Sequence, residues 1–310
     1  MSDLILHHYS GSPFSEKVRL ILGFKKLAWR SVIVPTIMPK PDVLALTGGY
    51  RRTPFMQIGA DIYCDTALMC RVIDQLHPEP PLYPMATQGL ADIVAQWADT
   101  ALFWAAIPYT LQPAGVVHVL KDATPDMLKA FGADRAAMNP NHRRATVTDG
   151  AAAVHTYLGR LDHLLGDGRP FLLGALASIA DFAAAQSIWF VHLAPPVAEL
   201  LQAYPRVAGW YARVHDFGHG TATKTSSTEA IEIAARGRHA PLSFTAEPGL
   251  AQGAEVTVTP TDYAHDPVAG TLVGLSRQEV VVARTDERAG RVHVHFPRIA
   301  FQIKAAPAAS

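Results

Sequence analysis

The 310-residue chain contains only two cysteines, Cys64 and Cys70, so a framework of disulfide bonds cannot hold it together. Charged residues are also scarce, at 17%, and 27 Lys and Arg balance 27 Asp and Glu. Because nucleic-acid-binding proteins usually carry a basic excess, we expect no nucleic-acid partner. The longest apolar run, near 179–194, is broken by polar residues and is too polar for a membrane span.

The first ten residues, MSDLILHHYS, show no basic segment followed by a long apolar stretch, so we expect no signal peptide. Apolar residues make up 49% of the chain, which excludes a disordered protein. At about 100–200 residues per domain, the length predicts two or three domains. These features predict a cytoplasmic globular protein with no membrane association.

Residues 1–79 alternate between strand and helix patterns, which predicts a small mixed sheet with helices, an α+β domain. A proline at the first position of a helix is favourable because its missing N–H is not needed there. In chain order the pattern predicts a strand at 4–9, a helix opened by Pro13, a strand at 31–34, a hairpin at 55–64 and a helix at 66–77.

The segment 78–85 contains four prolines and is typical of a linker. Beyond it, residues 86–237 show apolar residues at helical spacing and predict an all-helical domain. Ser178 and Asp181 have the spacing of a capping box at the start of a very apolar helix. A helix that is apolar on nearly every side is expected at the centre of a bundle.

The composition changes again towards the C-terminus. Residues 219–228 are small and polar, which predicts a linker, and a short helix is expected at 228–237. Residues 241–310 predict a small all-β module of four short strands, marked by valines near 256–258, 272–273, 280–282 and 292–296. A module of this size is near the lower limit for an independent core, so we expect it to pack on the rest of the chain, with Phe296 in the contact.

Four local motifs of the first two domains resemble those of serine-type glutathione S-transferases, in the same order and spacing. The resemblance covers roughly residues 3–218 and implies a thioredoxin-like N-terminal domain, an all-helical second domain and a homodimer. It does not extend to the β module. The motifs are the segment Ser10–Arg19 with its Ser-Pro-Phe core, the pair Thr53-Pro54, the pair Asp65-Thr66 and the capping-box segment Ser178–Phe182.

The resemblance assigns the catalytic role to Ser12, as a donor of a hydrogen bond to the sulfur of glutathione. A free thiol has a pKa of about 8.5, and lowering it by roughly two units requires about 2.7 kcal/mol of preferential thiolate stabilisation. A hydroxyl and a helix N-terminus both favour a nearby anion. Tyr9 and Ser10 remain alternatives for this role, whereas Ser15 is expected to take part in capping. Serine cannot form mixed disulfides, which argues against thiol-transfer chemistry.

The same resemblance implies the residues that bind glutathione. A cis peptide before Pro54 turns the backbone of Thr53 towards the cysteinyl part of the ligand. Asp65 binds the ammonium of the γ-glutamyl group, while Thr66 and the helix N-terminus bind its carboxylate. Lys40 and Arg52 are the candidates for binding the glycine carboxylate, with Arg51 behind them.

A pocket for the second substrate is expected between the two domains. Phe14, Phe103, Trp104 and Tyr109 are its candidate wall residues. Aromatic residues at helical spacing also commonly form core, and this alternative stays open for all four.

The sequence predicts no metal site and no cofactor apart from glutathione as co-substrate. His293 and His295 alternate on one face of a strand and, with His265, are a weak pattern for metal ligands. Cys64 and Cys70 are interpreted as buried apolar residues.

The leading hypothesis is therefore an enzyme that activates the glutathione thiolate for attack on an electrophilic small molecule, in detoxification. One alternative is a protein of the same fold that serves as a non-catalytic binding or assembly module, which the extra β module favours. Another is a glutathione-dependent isomerase or dehalogenase. The identity of the electrophile is not readable from the sequence.

Overall fold

The computed structural model describes residues 3–140 and 145–305. Its N-terminal domain has the predicted thioredoxin-like arrangement, in which β1 runs parallel to β2 and antiparallel to β3, and β3 pairs antiparallel with β4. The elements are β1 (Leu4–His8), α1 (Pro13–Phe24), β2 (Ala28–Ile33), α2 (Pro41–Thr47), β3 (Phe55–Ile58), β4 (Asp61–Cys64) and α3 (Thr66–Leu76).

The second domain is helical, as expected. The apolar helix α9 (Ile179–His192) lies at its centre with nearly every residue buried, and Asp181 satisfies buried N–H groups around its start. Its carboxylate accepts hydrogen bonds from the backbone of Ser178 at 2.9 Å and from the Trp210 indole at 2.8 Å. The helices are α4 (Gln88–Trp97), α5 (Phe103–Thr110), α6 (Pro113–Val119), α7 (Pro125–Met138), α8 (Val147–Leu164), α9 (Ile179–His192), α10 (Pro195–Ala198) and α11 (Pro205–His215). None of the helices in the described residues is long and apolar enough to cross a membrane.

After α11 the chain returns to the N-terminal sheet, which differs from the expected linker at 219–228. The strand β5 (Thr221–Lys224) pairs in parallel with β2, and α12 (Ser227–Arg236) packs against α2. All four side chains of β5 are exposed and most are polar, so no apolar pattern predicts the strand. It forms because its backbone groups hydrogen-bond to the free edge of β2.

The C-terminal extension contains the four predicted strands and a fifth that was not predicted. They are β6 (Glu255–Pro260), β7 (Val268–Leu275), β8 (Glu279–Asp286), β9 (Gly290–Pro297) and β10 (Phe301–Ala305). The strand β9 pairs in parallel with β4, and this pairing joins both parts into one ten-stranded sheet, in the order β10-β6-β7-β8-β9-β4-β3-β1-β2-β5. The extension therefore packs on the rest of the chain, as expected, and backbone hydrogen bonds between β9 and β4 join the two.

Two apolar cores lie on opposite faces of the sheet. The first joins α1 and α3 to the helical domain. The second lies under the extension, where Phe55 and Ile62 of the N-terminal domain pack with Phe296 and the valines of β6 to β9. Phe296 is fully buried, and its ring lies 6.0 Å from that of Tyr50 and 5.4 Å from that of Phe301. Phe296 thus makes the contact that was expected of it.

Candidate active site

Ser12 lies where β1 has ended and α1 begins. Its Oγ accepts a hydrogen bond from the Ser15 N–H at 3.2 Å, and the residue is 2% exposed. Pro13 follows at the first helical position. Within residues 3–140 and 145–305 the Ser12 hydroxyl has no recorded acceptor, so its hydrogen is available to a ligand. The hydroxyl therefore lies at the positive end of a helix with a free donor, which is the arrangement that stabilises a thiolate.

Arg19 holds the loop that carries Ser12 in place. The guanidinium donates to the carbonyl oxygens of Tyr9 at 3.3 Å and Ser10 at 3.0 Å. Glu16, itself fully buried, accepts from Arg19 at 2.7 Å and lies 2.9 Å from the His219 ring. In the sequence, this role of Arg19 is indicated only by the position of a charged residue between apolar residues of α1.

The Thr53–Pro54 peptide bond is cis, as the resemblance implies. Thr53 is half-buried, and no backbone hydrogen bond of its N–H or C=O is recorded among the described residues. Both groups are therefore free to pair with an extended ligand, as a neighbouring strand pairs in a sheet.

Asp65, the N-cap residue of α3, has an unusual conformation, with φ of 74° at a residue that is not glycine. Such backbone positions are strained and persist where the surrounding structure requires them, often at functional sites. The Asp65 Oδ1 accepts from the Ala67 N–H at 2.9 Å, and Thr66 next to it is buried. The residue thus caps its helix with one carboxylate oxygen and leaves Oδ2 without a recorded partner among the described residues.

A buried ion pair that the sequence analysis missed lies behind Thr66. The Lys17 Nζ donates to Asp99 Oδ2 at 2.5 Å and to Thr66 Oγ1 at 3.4 Å. Burial opposes the charge on Lys17, but the Asp99 carboxylate outweighs it and raises the pKa of the ammonium. Since Thr66 Oγ1 accepts from Lys17, its hydroxyl hydrogen can be donated to a ligand carboxylate.

Lys40 is buried beside the cis-proline segment. Its Nζ donates to the Arg51 carbonyl at 3.2 Å and to Thr53 Oγ1 at 3.3 Å. Burial, with a smaller contribution from Arg135, lowers the pKa of Lys40 to about 8. The Lys40 side chain is therefore mostly protonated at neutral pH and loses its proton as the pH rises past about 8.

The two arginines next to Thr53 already have carboxylate partners. Arg51 is paired with Asp134 of α7. Arg52 is paired with Asp262 of the extension, with its Nη2 2.6 Å from Asp262 Oδ1. Because Asp262 is about half exposed, a ligand carboxylate can compete with it for Arg52.

The loop between β6 and β7 brings a further residue, Tyr263, to the site. Its ring lies 5.6 Å from the Arg52 guanidinium and 5.4 Å from the ring of Trp104. Its hydroxyl donates to the Met138 sulfur at 3.3 Å, and the Ala264 N–H donates to the Met138 carbonyl at 2.8 Å. The extension thus spans from the N-terminal domain to α7, and the sequence of this loop carries no periodic pattern that predicts it.

Three of the four candidate wall residues come together between the domains. The ring of Phe14 lies 4.7 Å from that of Phe103, which lies 5.1 Å from that of Trp104, and all three are half-buried. Tyr109 differs: it is buried among the helices, and its hydroxyl donates to the Val197 carbonyl at 2.9 Å. Tyr109 therefore lies in the core, the alternative that the sequence left open, because it faces α10 rather than the cleft.

Both cysteines are free and fully buried. Burial raises the pKa of the Cys70 thiol to about 12 and raises that of Cys64 well above its usual value. Neither thiol ionises near neutral pH, in agreement with their interpretation as apolar residues.

Comparison with known proteins identifies relatives of both the N-terminal domain and the helical domain. A family model described as glutathione S-transferase, N-terminal domain, matches residues 6–81, and one described as glutathione S-transferase, C-terminal domain, matches residues 144–213. The chain is 26% identical over 185 residues to FtsZ-localized protein A of Caulobacter vibrioides, a match that covers 58% of this chain and 73% of that protein.

Among solved structures, a GST-like protein from Pseudomonas syringae is 41% identical, with a TM-score of 0.82 over 99% of this chain and 100% of that one. That match includes the extension. A glutathione S-transferase from Rhodospirillum rubrum is 24% identical, with a TM-score of 0.52 over 68% of this chain and 87% of that one, and shares the fold. The chain belongs to the glutathione S-transferase family.

Proposed function

We propose that the protein binds glutathione in the cleft at Ser12 and activates its thiol for attack on an electrophilic small molecule. The observation that carries the proposal is the free hydroxyl hydrogen of Ser12 at the N-terminus of α1. A thiolate accepting from this hydroxyl gains a hydrogen bond to a charged acceptor, and such bonds contribute about 1.5–3 kcal/mol. That range includes the roughly 2.7 kcal/mol that a two-unit fall in pKa requires.

The groups around Ser12 match the parts of glutathione. The free backbone of Thr53 suits the cysteinyl residue, and Asp65 suits the ammonium of the γ-glutamyl group. The N-terminus of α3, where the Ala67 N–H already donates to Asp65, suits the adjacent carboxylate because the helix dipole favours an anion there. Lys40 and Arg52 supply the cations for the glycine carboxylate at the other end.

The electrophile is proposed to lie against Phe14, Phe103 and Trp104, with Tyr263 of the extension as a fourth wall. Half-buried aromatic faces of this kind suit an apolar or aromatic substrate. Conjugation, isomerisation and dehalogenation can all start from the same thiolate. A screen of electrophiles suited to each of the three reactions distinguishes them.

A calorimetric titration with glutathione tests the proposal, with Asp65→Ala as the first variant. Loss of a charge-assisted contact should weaken binding by about 10- to 100-fold, equivalent to about 1.5–3 kcal/mol. Glu287→Gln, which removes an exposed charge from the β8–β9 turn, is the matched control and should bind like the wild type. Unchanged affinity in Asp65→Ala would restrict Asp65 to capping its helix.

A second candidate is a binding or assembly protein that does not turn over glutathione. The pairing of Asp262 with Arg52 favours it, because a side chain of the same protein already holds one of the cations for the ligand. The similarity to a protein named for its localization with FtsZ points the same way. Absence of glutathione binding in the titration, with a folded protein, would favour this candidate.

We also propose a homodimer, as is usual in the family. Leu90 and Ile93 expose apolar side chains one turn apart on α4, and Met85 before the helix is 94% exposed. Light scattering should then give twice the chain mass of 33.5 kDa.

A further inference from the structure

Four ionisable side chains meet where the extension joins the N-terminal sheet. Asp61 opens β4, and the parallel pairing of β4 with β9 places it opposite His293. The Asp61 Oδ1 lies 3.6 Å from His293 Nδ1, 3.2 Å from His239 Nδ1 and 3.3 Å from His295 Nε2. One ligand atom from each of Asp61, His239 and His293 lies within 4.8 Å of the other two.

Hydrogen bonds to Asp61 Oδ1 account for His239 and His295, but not for His293. Its side chain is 10% exposed, and its Nδ1 is buried without a hydrogen-bond partner in the described part of the chain. Such a nitrogen costs about 1–3 kcal/mol when nothing satisfies it. The Asp61 oxygen that faces it is too far away for a hydrogen bond. The separation instead suits an ion between the two atoms.

We propose that Asp61, His239 and His293 form a site for a divalent transition-metal ion of the Zn²⁺ type. Imidazole nitrogen and carboxylate oxygen are ordinary Zn²⁺ ligands, with bonds of about 2.0–2.2 Å. At such bond lengths, the 3.6 Å separation of Asp61 Oδ1 from His293 Nδ1 corresponds to an angle of about 110–130° at the ion, near the tetrahedral value. Three protein ligands leave the fourth position to water.

Two neighbouring groups hold Asp61 in place for this role. The Ala240 N–H donates to Asp61 Oδ2 at 2.6 Å, which leaves Oδ1 directed at the histidines. His295 is buried between two carboxylates, with Nδ1 2.8 Å from Glu279 Oε1 and Nε2 near Asp61 Oδ1. Hydrogen-bonded partners of this kind orient ligating carboxylates in metal sites. His295 is therefore a positioning residue.

His239 is the ligand that moves. Its ring is stacked on that of His293, with the centroids 3.6 Å apart and the planes at 16°. One ion cannot lie in the planes of two nearly parallel rings at this distance, so binding requires one ring to turn. His293 is fixed on β9, whereas His239 lies between α12 and β6 outside regular structure, with 26% of its side chain exposed. Metal binding therefore separates the stacked rings.

The three ligands come from segments that are distant in the sequence: β4, the connection after α12, and β9. An ion bound by all three ties the extension to the thioredoxin-like domain and stabilises the folded chain by mass action. The site is separate from the glutathione cleft, since Asp61 and Cys64 are at opposite ends of β4, about 10 Å apart, and Asp65 follows Cys64.

Zinc binding to the full-length protein tests the proposal. After dialysis against EDTA, calorimetric titration with Zn²⁺ should give one ion per chain. His239→Ala and His293→Gln should each weaken this affinity by about 100-fold or more, because the effect of losing a direct ligand exceeds the 10- to 100-fold typical of outer partners. His265→Ala, which removes an exposed histidine from the loop after β6, is the matched control and should bind Zn²⁺ like the wild type.

Two further readouts report on the site itself. Zn²⁺ should raise the melting temperature of the wild type and of His265→Ala but not that of His293→Gln. The imidazole resonances of His239 and His293 should shift in NMR spectra as the stack opens. His239 is partly exposed, so His239→Ala is expected to fold. No zinc uptake by the wild type, or equal uptake by His239→Ala, would overturn the proposal, while glutathione binding is tested separately.

Discussion

The carboxylate of Asp262 holds the guanidinium of Arg52, at 2.6 Å between Oδ1 and Nη2. The two residues lie 210 positions apart, one in the extension and one next to the cis-proline of the thioredoxin-like domain. The extension therefore places the negative charge of Asp262 beside the cleft. This charge has the same sign as the glycine carboxylate of glutathione.

Asp262→Asn should strengthen glutathione binding. Removing the competing carboxylate frees Arg52 for the ligand, and a partly exposed ion pair contributes about 0.2–1 kcal/mol, so affinity should rise by about 1.4- to fivefold. Calorimetry at fixed ionic strength measures this effect. Arg52→Ala should weaken binding, and Glu287→Gln serves as the charge control. Weaker binding by Asp262→Asn would mean that Asp262 orients Arg52 instead of competing for it.

If the proposed function is right, Ser12→Ala should raise the pKa of bound glutathione and slow conjugation while leaving the fold intact. The reason is that Ser12 supplies the free hydroxyl at the helix N-terminus, whereas Tyr9 lies outside it. Thiolate absorbance titrations of Ser12→Ala and Tyr9→Phe compare the two assignments directly. The role belongs to Tyr9 if its variant shows the larger rise in pKa, and near-ultraviolet circular dichroism checks that both variants are folded.

Glutathione affinity should fall as the pH rises above about 8, because the pKa of Lys40 is lowered to about 8 by burial. The protonated ammonium attracts the glycine carboxylate, so its contribution is complete below this pH and is lost above it. The bound carboxylate favours the charged form and moves the fall to somewhat higher pH. Titration with S-methylglutathione at pH 6.5 to 10 avoids ionisation of the thiol.

Lys40→Met is the matched control for this pH dependence. It should bind more weakly than the wild type at pH 7 and should lack the additional fall above pH 8. The ammonium of the ligand titrates equally in both proteins and cancels in the comparison. Parallel pH profiles would show that Lys40 does not contact the ligand carboxylate.

Deleting 241–310 should lower the melting temperature or cause aggregation, because it removes β9 from β4 and uncovers the second core. A milder variant keeps the strands: Phe296→Ala should destabilise the protein by about 3–5 kcal/mol, the usual cost of truncating a buried aromatic residue. Denaturant unfolding measures it, with exposed Thr285→Ala as the control. A truncated protein with unchanged stability and solubility would show that the extension folds independently.

The predictable parts of the site are those with local signals. Ser12 caps its helix through a residue three positions away, and the cis bond before Pro54 depends on a dipeptide. Lys17 and Arg19 were missed because their partners lie on other elements or in the loop before α1. The sequence left Tyr109 open between the pocket wall and the core, because helical spacing alone does not say which face of α5 meets the cleft.

The sequence alone determined most of the helices and strands, with β5 and β10 as exceptions. Alternating valines predict strands with one buried side, and the capping box predicts where α9 begins, since both depend on residues within one turn or one pleat. Only the tertiary structure decided that β9 joins β4 and that β5 joins β2. Those pairings are made by backbone hydrogen bonds, which every sequence offers alike, so no side-chain pattern reports which edge a strand will meet. The same pairing brings Asp61 opposite His293, and two residues far apart in the chain become neighbours.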